Sequence, residues 1–182
     1  MDSPPDSHDP DRREFFKKAS AVVLGGIAAA VPIGAGVPLL LDPLGRREDA
    51  GAAVHVVNID SLPEDGTPRK FTILASRKDA WNRYDDAPIG AVYLRRIEGG
   101  KVQALNVSCP HAGCFVDYAS ASRAFLCPCH NSLFHLDGTV AQKSSPSPRG
   151  MDSLEVEVRN GSEVWVKFQN FQAGHATKLA RA

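Results

Sequence analysis

Cys109-Pro110-His111-Ala112-Gly113-Cys114 and Cys127-Pro128-Cys129-His130 decide how this chain is read. Each run supplies a cysteine and a histidine at close spacing: Cys109 with His111 as C-x-H, and Cys127 with His130 as C-x-x-H. Fifteen residues, Ala112 to Leu126, lie between the inner pair. Two thiolates and two imidazoles can hold zinc. They also suit a binuclear iron–sulfur cluster with cysteines on one iron and histidines on the other. Zinc fingers and ribbons seldom use C-x-H as a half-site, and they need no further cysteines. Two plain disulfides would leave His111 and His130 without a role. Cys114 and Cys129 are left over, one in each run. His8, His55, His135 and His175 have no such partners and read as surface or edge residues, with His135 nearest the runs.

Around the two runs the pattern is β. Val102 to Val107 leads into the first run, and Ala91 to Ile97 precedes it across a Glu98-Gly99-Gly100-Lys101 turn. Val54 to Ile59 and Phe71 to Leu74 are further short β-rich stretches. Asp137-Gly138 and Asn160-Gly161 are hairpin dipeptides, the second joining Leu154–Val158 to Val164–Phe168. In the first of these strands Leu154, Val156 and Val158 share one face and Glu155, Glu157 and Arg159 the other. Lys78 to Ala87 reads as a polar insertion. No long helix is expected after the N-terminal third. The fold class is all-β: a small antiparallel domain over residues 53–172 with the two runs as loops near its tip, followed by a tail at 173–182.

The chain has 182 residues, enough for one domain with appendages. Its net charge of +0 suggests no nucleic-acid partner. All four cysteines fall in the two runs, which argues against a disulfide-stapled scaffold. Ala19 to Leu41 carries no charge. As a helix it measures about 34 Å, enough for a bilayer core of about 30 Å. Its Pro32, Pro38 and glycines suit a membrane helix better than a soluble one. A cleaved signal is the competing reading, with Ala28-Ala29-Ala30 as a cleavage site. The length of the apolar stretch favours an uncleaved anchor at 19–41.

Residues 1–18 form a polar N-region. Within it, Asp11-Arg12-Arg13-Glu14-Phe15-Phe16-Lys17 resembles the twin-arginine export signal, with Arg12 and Arg13 as its pair. Arg12, Arg13, Lys17 and Lys18 precede the helix and only Arg46 and Arg47 follow closely, which places the N-terminus on the cytoplasmic side and the β-domain outside. Residues 42–52 have no apolar periodicity and read as a flexible hinge, about 18 Å across as a coil and about 35 Å if pulled straight.

The paired runs and their flanks resemble the Rieske family, in particular its cytochrome bc branch. That resemblance implies one [2Fe–2S] cluster, with Cys109 and Cys127 on the buried iron and His111 and His130 on the outer one. It also implies a Cys114–Cys129 disulfide. That extra cysteine pair is usually lacking in Rieske ferredoxins and ring-hydroxylating oxygenases, so it points to quinol-oxidising complexes. An oxidising exterior suits the bridge. Ser145-Pro146-Ser147-Pro148 resembles the family's proline loop, usually Gly-Pro-Ala-Pro, with Pro146 and Pro148 retained and Ser145 in place of Gly.

The implied function is electron transfer from a quinol to a c-type cytochrome. The chain would be a membrane-anchored redox subunit, not catalytic alone, working beside cytochrome b and a c-type cytochrome. His130 would contact the quinol and accept its proton, and the hinge would let the head swing. High-potential relatives follow the second run with Gly-Ser-x-Tyr, whereas this chain has Asn131-Ser132-Leu133-Phe134. Ser132 keeps one hydroxyl donor to the cluster and Phe134 lacks the other, which lowers the potential and suits menaquinol. The alternative is the Rieske small subunit of a periplasmic molybdenum oxidase of the arsenite oxidase kind. A zinc-binding structural domain on a membrane anchor is a reading of a different class.

Overall fold

A computed structural model of the chain describes residues 11–45, 53–78 and 82–181. It comprises two compact units, divided at Glu48–Asp49.

The first unit holds one helix, α1, Asp11–Gly45. It is continuous through Pro32 and Pro38 and is long and apolar enough to cross a membrane once. Val22, Leu24, Ile27, Val31 and Leu40 are all exposed, on several sides of the helix. A helix that is apolar all round needs a non-aqueous surrounding rather than one buried stripe. The helix runs past both ends of the expected 19–41 span. It takes in Arg12 and Arg13, and it extends four residues into the expected hinge, so Asp42–Gly45 is helical rather than linker. Residues 46–52, the rest of the hinge, lie outside the described residues, as do residues 1–10 of the N-region.

The second unit is all-β. Its strands are β1 (Ala53–Asn58), β2 (Arg69–Lys78), β3 (Arg83–Arg96), β4 (Val102–Asn106), β5 (Asp117–Ala119), β6 (Ala124–Cys127), β7 (Ser132–Phe134), β8 (Ser153–Arg159) and β9 (Glu163–Lys167). Six form one antiparallel sheet in the order β1-β9-β8-β4-β3-β2, and β5-β6-β7 form a second. The expected hairpins are present: Arg96 pairs Val102 across the Glu98–Gly100 turn, and Arg159 pairs Glu163 across Asn160-Gly161. Asn160 and Gly161 both take positive φ, 50° and 76°, the hand that matches strand twist. Lys78 to Ala87 is not a separate insertion. β2 and β3 are one long hairpin, pairing Arg77 with Tyr84 and Lys78 with Arg83, and residues 79–81 at its tip lie outside the described residues.

Two apolar cores fill the unit. One joins Leu62, Ile73, Val92, Leu94, Val164 and Val166 across the large sheet. The other joins Leu105 and Tyr93 of the large sheet to Phe125 and Phe134 of the small one, with Val107 and Val116 beside them. Fully burying such side chains stabilises by about 1.5–3 kcal/mol each. Tyr93 ties the sheets by polar bonds as well: its hydroxyl donates to Val116 O (3.2 Å) and accepts from Tyr118 N (3.1 Å). The small sheet was not expected from sequence. Its strands are three or four residues long, too short to show a period of two above background.

Candidate metal centre

Both cysteine–histidine runs are β-turns of the second core. The first is closed by the Ser108–Phe115 bridge, with Cys109 N donating to Cys114 O and Gly113 N to Cys109 O, both 2.8 Å. Gly113 holds φ at 80°, a conformation that a side chain would strain. The second run is the loop of the β6–β7 hairpin: Cys127 pairs Ser132, leaving Pro128 to Asn131 as the turn. Asn131 takes φ 56° there. Asn is the non-glycine residue best suited to that region, so it can stand where relatives carry Gly.

The folded turns bring the candidate ligands together two by two, thiol beside thiol and imidazole beside imidazole. Cys109 and Cys127 are free thiols, each 1% exposed, in the same core. The imidazoles of His111 and His130 lie with ring centroids 4.7 Å apart, nearly perpendicular. His111 is half-buried and His130 exposed. Thiols thus sit inward and imidazoles outward. Cys114 and Cys129 form a disulfide. The sulfurs of Cys114, Cys127 and Cys129 lie within 4.8 Å of one another, but two of them are bonded together, so this trio is no three-thiolate zinc site. The bridge joins the loops immediately beside Cys127.

Two orphaned atoms test whether this place fits a bound cluster. His111 Nδ1 and Ser132 Oγ are buried and have no hydrogen-bond partner. A buried polar atom without a partner costs about 1–3 kcal/mol, so such atoms mark a missing neighbour. A metal at Nδ1 and an inorganic sulfur at Oγ would supply both. Burial pushes the Cys109 thiol above its ordinary value, the His111 backbone amide pulls it back, and the neighbouring Cys127 raises it further. The donor set is therefore suited to iron and sulfide.

Phe134, also a sequence candidate, is fully buried in the core that contains Cys109 and Cys127. It packs there without a hydroxyl. Pro146 and Pro148 are exposed on the loop after the turns. Ser147 between them is buried and donates to Arg149 O at 2.7 Å, while its amide reaches Ser145 Oγ at 3.4 Å. Ser145 in place of Gly therefore caps the loop from within. Arg12 and Arg13 lie on α1, in the other unit.

Sequence reading missed Asn106, Arg149 and Asp152, which are buried or half-buried polar residues tying the turns to the chain's last residues. The Pro-Arg-Gly that ends the proline loop was the available signal, since an arginine there needs an acceptor. The fold of the tail hid its partner.

A family model for the Rieske [2Fe-2S] domain matches residues 52–159. The menaquinol:cytochrome c reductase iron-sulfur subunit of Bacillus subtilis (strain 168) is 31% identical over 157 residues, covering 85% of this chain and 90% of that protein. The subunit of the same name from Geobacillus thermodenitrificans is 30% identical over 161 residues, covering 85% and 89%. Among solved structures, the cyanobacterial plasma membrane Rieske protein PetC3 from Synechocystis PCC 6803 aligns with 24% identity and a TM-score of 0.45, covering 63% of this chain and 99% of that one. A domain match over more than half of the sequence, with the paired turns at its centre, makes this chain a member of the Rieske [2Fe–2S] family, with one such cluster as its cofactor.

Proposed function

We propose that Cys109 and Cys127 ligate the inner iron, that His111 and His130 ligate the outer one, and that the protein passes electrons from a quinol, menaquinol by preference, to a c-type cytochrome. The observation that carries this is the pairing of two buried thiols with two outward imidazoles across turns locked by one disulfide. Relatives of nearly equal length named as menaquinol:cytochrome c reductase subunits support the same substrate and partners. A bound [2Fe–2S] cluster supplies a one-electron couple whose metal charge makes the ligating imidazoles more acidic when oxidised.

The chain's own residues do the rest. Cys109 and Cys127 give up their protons to bind, and the surrounding Phe125, Phe134 and Leu105 keep water from them. His130, exposed on its turn, presents a ring edge to a quinol hydroxyl. With its outer ring nitrogen deprotonated, as bound oxidised iron would favour, it would accept the hydroxyl's hydrogen bond and its proton while the cluster took the electron. His111, half-covered, holds its ring across His130 and limits the approach to one side. The helix α1 anchors this head. The cationic N-terminal side of α1 stays cytoplasmic, and the head is exported folded through the twin-arginine route to the outer face, beside cytochrome b.

Purified from membranes, the protein should show the EPR signal of a reduced Rieske cluster and copurify with a cytochrome b. His130→Ala and Cys127→Ala should each abolish the signal. Normal occupancy in His130→Ala would refute the ligand set. Copurification with a molybdopterin subunit would refute the quinol reading and leave the ligands standing.

A further inference from the structure

The last residues fold back onto the first cluster turn. Gly174 N donates to Pro110 O at 2.8 Å, directly beside His111. Asn106, 1% exposed at the base of the same turn, bonds both ways: its Oδ1 accepts from Ser108 N (2.9 Å), and its Nδ2 donates to Gln169 O (2.9 Å) and Asn170 Oδ1 (3.2 Å). The segment is folded on itself, with Phe171 bridged to Ala180 and Arg181 N bonded to Asn170 O. Lys178 lies over the Phe171 ring and donates to Ser153 O.

Arg149 closes this arrangement from the proline loop. Its guanidinium grips buried Asp152 with two bonds, Nε to Oδ1 (2.9 Å) and Nη2 to Oδ2 (2.8 Å). The same group donates to Gln172 O (3.0 Å) and to His175 O. Asp152 O in turn accepts from Asn106 N (2.8 Å). One planar cation therefore connects the proline loop, the carboxylate behind the first turn and two carbonyls of the folded-back segment. Lysine, a point donor, cannot make that fork.

We propose that residues 169–181 are a strap that holds the first cluster turn in register with the second, and that Arg149 is its buckle, a positioning residue that touches no ligand. The inference rests on the reading that these turns hold the cluster. Disulfide and strap then grip the first turn from opposite ends: Cys114 at its close, Asn106 and Pro110 at its start. His111 is thereby fixed through its backbone, while His130 sits on the β6–β7 hairpin beside the disulfide.

The test uses the full-length, cluster-loaded protein in detergent. Hydrogen exchange is read by mass spectrometry in Arg149→Ala, Arg149→Lys and a chain ending at Gln169, with EPR of the reduced cluster alongside. The expected result is exchange about tenfold faster in the peptide 108–115 of Arg149→Ala, as loss of a charge-assisted bond implies, with β8 and β9 unchanged. Arg149→Lys should fall between, and the shortened chain should match or exceed Arg149→Ala. EPR lines should broaden in the same order. Unchanged exchange in 108–115 of the shortened chain overturns the strap, and so does an equal rise in β8 and β9, which would mean general loosening. A native protein without a Rieske signal refutes the cluster reading instead, and exchange alone then judges the strap.

Discussion

Replacing Ser132 by Ala should lower the reduction potential while leaving the fold intact. Ser132 Oγ is fully buried and has no hydrogen-bond partner within the protein. With a cluster bound, its hydroxyl would be available as a donor to sulfur. Donors to sulfur favour the reduced state, which carries one more negative charge. A hydrogen bond to a charged group contributes about 1.5–3 kcal/mol. For a one-electron couple about 1.4 kcal/mol is 59 mV, so the potential should fall by about 60–130 mV if the bond is made fully only on reduction. The apo-protein should respond in the other direction. There the hydroxyl is an orphan that costs about 1–3 kcal/mol, and Ala relieves that cost without opening a large cavity. The assay is a redox titration followed by EPR, beside thermal unfolding of apo-protein. An unchanged or raised potential at full occupancy would refute the assignment of Ser132 as a donor to the cluster.

Phe134→Tyr should raise the potential by several tens of millivolts in the same titration, because a buried hydroxyl is added among Cys109 and Cys127; a fall with an intact cluster would remove the case for menaquinol. Replacing Cys114 and Cys129 together by Ser opens a link of sequence separation 15 and should cost about 3 kcal/mol of head stability in denaturant titration, with a cluster that forms but is lost on dilution. Retention of full stability would show that the strap and cores hold the turns alone. Arg12→Lys with Arg13→Lys should leave the protein in the cytoplasm on fractionation, and export at the normal level would refute the twin-arginine signal.

The candidate ligands were legible because their chemistry is confined to few residue types. Cys109, His111, Cys127 and His130 announce themselves by spacing, and Leu154 to Val158 and Val164 to Phe168 by alternation about a turn dipeptide. The helix was legible from its lack of charge. Its ends were not, because Asp42 and Pro43 break an apolar pattern without breaking a helix. β5, β6 and β7 were too short to show a period, though they build the hairpin that carries His130.

What the sequence by itself determined is thus the set of candidate metal-binding residues, the all-β head and the long apolar helix, since each shows in local residue pattern. Tertiary structure alone decided that thiols face inward and imidazoles outward, that Ser132 and His111 each offer an unsatisfied buried atom, and that Arg149 reaches residues 23 and 26 positions away. Those properties depend on which distant segments share a low-dielectric interior. Hydrogen bonds of that kind form between groups that no periodicity relates, and only the packed fold brings them within three ångströms.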